Sequence, residues 1–150
     1  MSYQEKNITV YLVSQLLIVG YYLLNLSQML RVGALVSTRV YSLWLLVIAT
    51  SIIVNIIASI LTNILLSIVH AIRTRTNESE LFIEDERDKL IELKGMRSSY
   101  ITFSLGVLVS VLFFVSGQPA LVMISMMIFF AITAEIVGAI SQIYLYRRGF

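Results

Sequence analysis

A single acidic residue, Glu135, lies inside the last long apolar part of the chain, because residues 98–146 contain no other Asp, Glu, Lys or Arg. An ionised carboxylate at mid-bilayer depth costs roughly 3 kcal/mol on insertion scales, so it must face protein or water, or be neutral. Such a group is suited to a proton relay or a cation site. The alternative is a structural carboxyl group that is hydrogen-bonded to an amide on a neighbouring helix, from Gln15, Asn25, Asn55 or Asn63.

Polar and small residues recur at a spacing of four in two other apolar parts of the chain. On an α-helix this spacing advances about 40° per step and forms one continuous ridge. Small residues let helices approach closely in lipid, and hydroxyl and amide groups bond between them. We therefore predict that helices two and three pack against each other along these ridges. The rows are Ser51, Asn55, Ser59, Asn63 and Ser67 in helix two and Ser98, Thr102, Gly106 and Ser110 in helix three, with Gly138 as a further packing residue in helix four.

A second interpretation of the same residues is a hydrophilic path through the membrane. Asn55 and Asn63 of helix two, together with Gln142 and Glu135 of helix four, would then form an intramembrane ion or proton site. Small polar rows in membrane helices serve packing more often than conduction, so packing is the favoured interpretation.

Signatures of enzymes and of metal or cofactor sites are missing from the sequence. The chain has no cysteine and one histidine, His70, which excludes disulfides and thiolate metal sites. No nucleophile elbow, phosphate loop, HExxH pattern or dinucleotide fingerprint occurs. We expect no catalytic residues, no metal, no cofactor and no nucleic-acid partner.

The helices that position these residues follow from the distribution of charge. Thirteen of the 20 charged residues lie in residues 73–97, and long uncharged stretches flank that segment. About 20 apolar residues cross a bilayer once. The stretches therefore predict four transmembrane helices, and Gly117-Gln118-Pro119 predicts a tight reversal between the last two. The predicted spans are about 8–30, 42–70, 98–116 and 120–146.

Four spans place both termini and residues 73–97 on the same side of the membrane. That side carries nine basic residues and the other side two, Arg31 and Arg39. The positive-inside rule makes the nine-charge side cytoplasmic, which predicts a multi-pass protein of the cytoplasmic (inner) membrane. Aromatic residues near the predicted span ends fit the headgroup region, namely Tyr11, Tyr41, Trp44, Tyr100, Tyr144 and Tyr146.

The charged segment is compatible with a cytoplasmic helix that continues into helix three, with Gly95 as a bend at the membrane surface. Glu84, Asp88 and Glu92 lie four apart and form an acidic edge that repels itself. We predict a salt-bridge collar that neutralises this edge, made within the chain or with a second copy; anionic lipid headgroups at the basic residues are an alternative. The predicted partners of the acidic edge are Arg73, Arg75, Arg147 and Arg148.

Residues 84–100, EDERDKLIELKGMRSSY, resemble the D-E-R-x-x-x-I-x-x-K signature of a family of small bacterial and archaeal membrane proteins of unknown function. The resemblance implies a shared cytoplasmic element before a transmembrane helix and no catalytic residues. It identifies a cytoplasmic interaction motif, with the Glu86 and Arg87 pair as the proposed centre of the collar. The motif comprises Glu84, Asp85, Glu86, Arg87, Asp88 and Lys94.

The expected fold is all-α, a four-helix transmembrane bundle with a cytoplasmic extension of helix three. Because so small a bundle buries little surface, we expect a homodimer or a higher homo-oligomer. The first function hypothesis is a non-enzymatic interaction or regulatory module that uses the charged segment to recognise a cytoplasmic protein or anionic lipid. The second is an oligomeric ion or small-solute channel or transporter that uses Glu135 and the Asn55/Asn63 row.

Overall fold

Four helices account for most of the chain. The computed structural model describes residues 3–31, 37–73 and 86–148, and at positions 3, 4, 37, 58, 59, 61–63 and 65–73 it describes the backbone only. The elements are α1 (Tyr3–Arg31), α2 (Ser37–Arg73), α3 (Glu86–Val115) and α4 (Ala120–Arg147). All four are long and apolar enough to cross a membrane. The predicted all-α four-helix fold is therefore confirmed, and the chain is a multi-pass membrane protein by the length and composition of its helices.

The reversal between α3 and α4 is set by local hydrogen bonds. Gly117 has a φ of +96°, a conformation that glycine adopts without steric cost. The amide of Gln118 donates to the Phe113 carbonyl at 3.3 Å, and the amide of Gly117 donates to the Phe114 carbonyl at 3.0 Å. These two bonds form a Schellman motif, which ends α3. Pro119 is the N-cap of α4, so the turn lies where the sequence predicts it.

Helices α3 and α4 pack closely because small residues lie at their contact. A Cβ atom on Gly106 would overlap the Cβ and Cγ atoms of Phe130, and one on Gly138 would overlap the hydroxyl of Ser99. Ser110 is fully buried in the same face, and its hydroxyl donates a hydrogen bond of 2.7 Å to the Gly106 carbonyl. The absence of side chains at the two glycines lets the helix backbones approach, as small residues do in membrane helix pairs.

The predicted contact between helices two and three is wrong. Among the described residues α3 packs extensively on α4 and makes no comparable contact with α2, whereas α4 contacts all three other helices. A small-residue ridge specifies that a helix can be approached closely but does not specify which helix approaches it. The side chains of Ser59, Asn63 and Ser67 lie outside the described part of the chain.

An apolar cluster joins α1, α2 and α4 at the end of the bundle where the α1–α2 and α3–α4 connections lie, which we call the loop end. Trp44 belongs to this cluster with 7% of its surface exposed. Its predicted depth at the headgroup region stays a prediction. The indole ring of Trp44 is buried because residues of α1, α2 and α4 pack around it. The buried members are Ile18, Tyr22, Val40, Leu43, Trp44, Val47 and Ile132.

The charged part of α3 continues into its apolar part without interruption. The helix begins at Glu86 and passes through Gly95 to Val115, so the predicted extension of helix three is present in the structure. Gly95 is buried, and a Cβ atom there would overlap the side chain of Gln142. The glycine therefore serves close packing of α3 on α4 inside a continuous helix. Glu84 and Asp85 lie outside the described residues.

Candidate membrane-embedded binding site

The intramembrane carboxyl group of Glu135 is bonded to a tyrosine. The Tyr11 hydroxyl on α1 donates a hydrogen bond of 2.6 Å to Oε2 of Glu135 on α4. This length is typical of a hydroxyl that donates to a carboxylate. Glu135 precedes the end of α4 at Arg147 by 12 residues, which corresponds to about 18 Å along the helix. The pair thus lies well inside the membrane-spanning part of the bundle.

A polar cleft of about 360 Å³ adjoins this pair. It runs over α4 between α1 and α3, and α2 contributes Asn55 at its inner end. Its polar groups converge on Glu135 from all four helices, while Ile8, Met96 and Ala139 supply apolar walls. The polar lining residues are Asn7, Tyr11, Asn55, Ser99, Glu135 and Gln142.

Several polar atoms in the cleft have hydrogen-bonding capacity that the described protein does not use. Glu135 accepts one bond, at Oε2, and its Oε1 atom has no donor among the described side chains. Within the same described part of the chain, the side chains of Asn7, Ser99 and Gln142 make no hydrogen bond. Unpaired polar groups inside a membrane protein are costly unless water or a ligand bonds to them. These groups are therefore free to form hydrogen bonds with water or with a polar ligand.

Glu135 also borders two further cavities, and it is exposed in the single chain. One cavity of about 290 Å³ lies between α1, α2 and α4 and shares Tyr11, Asn55 and Glu135 with the cleft. Another of about 320 Å³ lies on the α3 side and includes Ser99. The carboxyl group is thus reachable from several directions in one protomer.

The polar region ends shortly beyond Glu135. Gln15, 2% exposed, donates an amide hydrogen bond of 3.3 Å to Oδ1 of Asn55. One turn farther along α1 the apolar cluster begins at Ile18. Two turns beyond Gln15, the Tyr22 hydroxyl donates to the Ser125 carbonyl at 2.8 Å. From Glu135 the lining of the cleft extends through Asn7 and Gln142 toward the opposite end, where α1 begins and α4 ends, which we call the terminal end.

Polar contacts at the terminal end join three helices. Arg147 donates from Nε to Oε1 of Glu5 at 3.1 Å, and the Tyr146 hydroxyl donates to Oδ1 of Asp88 at 2.8 Å. Arg147 is 67% exposed, so the ion pair adds little to stability by itself. Among the described residues Arg147 pairs with Glu5 on α1, and Asp88 of the acidic edge accepts from Tyr146. The predicted pairing of Arg147 with that edge is therefore not present at Asp88 or Glu92, and Glu84 lies outside the described part of the chain.

No protein family, curated protein or solved structure matches this chain. The resemblance of residues 84–100 to a membrane protein family therefore stays a prediction.

The structure brings part of the predicted intramembrane site together. Asn55, Gln142 and Glu135 line one cleft, whereas the side chain of Asn63 lies outside the described residues. Ser51 borders the neighbouring cavity on α2. The predicted packing residues Thr102, Gly106, Ser110 and Gly138 are buried or half-buried. Sequence reasoning missed Tyr11 as the partner of Glu135 and assigned its ring to the headgroup region instead. The available signal was the spacing of Asn7, Tyr11 and Gln15, which form a polar row four residues apart on α1.

Proposed function

We propose that this protein binds a small cation, or a proton, at Glu135 and moves it through the membrane, as an ion or small-solute conduit or transporter. The observation that carries the proposal is the carboxyl group of Glu135, which lines a cleft between the helices and whose Oε1 atom has no donor among the described side chains. A membrane carboxylate in that setting is a functional group by default. The proposal is non-enzymatic and needs no cofactor.

One-sided access supports transport over a purely structural carboxyl group. The cleft reaches the terminal end, and the apolar cluster around Tyr22 closes the loop end. A structural carboxyl group would have its lone pairs satisfied by protein, as Oε2 is satisfied by Tyr11. Passage of a solute would require the apolar cluster to open, which is the expectation for a protein that exposes a site to one side at a time.

The terminal end is the cytoplasmic side under this proposal, because it carries nine of the 11 basic residues. The protein then belongs to the cytoplasmic membrane, with both termini inside the cell. A homodimer or higher homo-oligomer is part of the proposal, because Glu135 is exposed in the single chain and a second copy would shield it from lipid.

Flux measurements in liposomes test the proposal. The purified protein should release a proton or potassium gradient, and Glu135→Gln should reduce that flux to the level of protein-free liposomes. Glu92→Gln is the matched control, because Glu92 is an exposed carboxyl group near the start of α3 and is not among the residues that line the cleft. A wild-type protein that is silent for every small cation, or a Glu135→Gln variant with unchanged flux, would contradict the proposal.

A second candidate function is the interaction module at the charged segment. Its support is a rigid exposed surface: Glu86, Arg87 and Lys89 are exposed, while Ile91 in the same part of α3 is fully buried. Together with the bond between Asp88 and Tyr146, that burial holds the surface in place against α4. Surfaces of this kind suit a cytoplasmic protein or anionic lipid.

Arg87→Ala tests this second candidate. A partner that uses the charged surface should be lost, so the size of the native complex extracted from membranes should fall while flux persists. Lys6→Ala is the control for removal of one exposed cation, because Lys6 lies on α1 outside the charged surface. The interaction-module function would be rejected by an unchanged complex size in Arg87→Ala together with an unchanged complex size in a Glu86→Lys variant.

A further inference from the structure

We infer that the solute bound at Glu135 is a small organic monocation, an alkylammonium with a short apolar part, and that its ammonium group donates to the Oε1 atom of Glu135. This inference rests on the proposed function and specifies the class of its substrate. It is carried by the charge of the cleft, its size and the chemistry of its walls.

The charge of the cleft suits one positive charge. Glu135 is the single acid among the lining residues, and no Lys, Arg or His accompanies it there. In a low-dielectric environment a ligand of charge +1 neutralises the carboxylate, whereas a dication would leave a net charge that is expensive inside the membrane. Among the described residues no group of three or more His, Asp or Glu side chains could hold a metal ion. Calcium and magnesium take six or more oxygen ligands and commonly several carboxylates, so this site does not suit them.

The size of the cleft favours a molecule over a bare ion. Its volume of about 360 Å³ is roughly ten times the 30 Å³ that one water molecule occupies in the liquid. An alkali ion held by the carboxyl group and a few amide oxygens would leave most of that space to water. A compact organic cation of several heavy atoms would fill it.

The walls have both parts that such a molecule needs. The amide groups of Asn7 and Gln142 and the hydroxyl of Ser99 line the same cleft as Glu135 and make no hydrogen bond within the described residues. An ammonium group donates up to three hydrogen bonds, to Oε1 and to other oxygens of the lining or to water. Ile8 and Met96 offer apolar contact to a short alkyl chain, and Tyr11 lines the same cleft.

The direction of the Tyr11 hydrogen bond fits the same ligand. Tyr11 donates to Oε2 and leaves Oε1 available as an acceptor on a residue that lines the cleft. A neutral alcohol could bond there but would leave the charge of the carboxylate uncompensated. An anion would be repelled. The carboxyl group of Glu135 thus favours a positively charged ligand, and the volume of the cleft limits the size of that ligand.

The test compares four probes of similar size or charge in detergent: propylammonium, propanol, propionate and sodium. Propylammonium should raise the Tm of the wild-type protein by roughly 5 °C at about 100 times its Kd, because a ligand of the folded state stabilises it by mass action. Propanol and propionate should give no comparable rise at the same concentration. The propylammonium effect should vanish in Glu135→Gln and persist in Glu92→Gln.

A second measurement covers the case in which Glu135→Gln does not fold. The chain has no cysteine, so Ser99→Cys provides a single thiol in the wall of the cleft with Glu135 intact. Propylammonium should slow the reaction of that thiol with a water-soluble reagent, and propanol should not. The same protection should be absent from a cysteine at exposed Glu92.

Three results would overturn the inference. The first is a rise in Tm, or a protection of the Ser99→Cys thiol, that is as large with propanol as with propylammonium. The second is a larger rise in Tm with sodium than with propylammonium. The third is a rise in Tm with propylammonium that persists in a folded Glu135→Gln variant. The proposed function fails separately: a Glu135-dependent flux of protons or potassium with no response to propylammonium would keep the function and reject the organic cation. Absence of both would reject the two together.

Discussion

The hydroxyl of Tyr22 on α1 donates to the backbone carbonyl of Ser125 on α4 at 2.8 Å, and Tyr22 is fully buried. This bond lies inside the apolar cluster that closes the loop end of the bundle. On the same face of α1, Gln15 and Tyr11 lie about two and three turns nearer the terminal end and border polar cavities. The membrane-spanning part of the protein is therefore divided along its length into a polar half and an apolar half, which is the sealed half of the proposed conduit.

Replacement of Tyr22 by phenylalanine should lower the free energy of unfolding by about 1 kcal/mol, because a buried hydrogen bond is lost and the carbonyl of Ser125 loses a donor. Tyr21→Phe is the control, since Tyr21 is 46% exposed on the same helix. Reversible unfolding in mixed micelles measures both. Equal free energies of unfolding for the two variants would show that the Tyr22 hydrogen bond does not stabilise the apolar cluster.

Cysteine accessibility should follow the division between polar and sealed halves. Single cysteines at Asn55 and Ser99 should react readily with a water-soluble thiol reagent, because both line the cleft. Single cysteines at Val47 and Ile18 should react slowly, because both are buried in the apolar cluster. Rates are measured in liposomes with the reagent added on either side. Fast reaction at Val47 from the terminal side would contradict a closed loop end.

Gly106→Ala should destabilise the protein by roughly 1–3 kcal/mol, because the added methyl group overlaps Phe130 close to its backbone and forces α3 away from α4. Gly20→Ala is a matched control in α1, where a Cβ atom would meet nothing within 4 Å. That variant should gain up to about 1 kcal/mol from helix propensity. The prediction is contradicted when the two alanines have the same effect in an unfolding titration.

Tyr11 and Glu135 should be energetically coupled. Tyr11→Phe removes a hydrogen bond to a carboxylate and should cost about 1.5–3 kcal/mol. In a Glu135→Gln background the same change should cost about 1 kcal/mol, because a neutral amide oxygen is the weaker acceptor. A double-mutant cycle of unfolding free energies isolates the difference. Strict additivity of the two substitutions would show that water, and not Tyr11, satisfies the carboxyl group.

Properties that depend on local sequence could be predicted from the sequence. Long uncharged stretches make four membrane helices, since a backbone in lipid must bond internally. The turn at Gly117 forms from hydrogen bonds within six residues of chain, Phe113 to Gln118. Glu135 could be identified as a site residue because its charge alone conflicts with its surroundings. The sequence determined these features without any knowledge of which helices are neighbours.

Tertiary structure decided the rest, because apolar helices in lipid are nearly equivalent partners and shape chooses among them. The ridge of Gly106 and Ser110 could have faced any helix, and the fit of Phe130 against Gly106 places α4 there. Tyr11 is 124 residues from Glu135 along the chain, so no local pattern joins them. The sequence determined that a carboxyl group lies in the membrane. Only the packing of α1 and α3 on α4 decided that it adjoins a polar cleft open toward one end of the bundle.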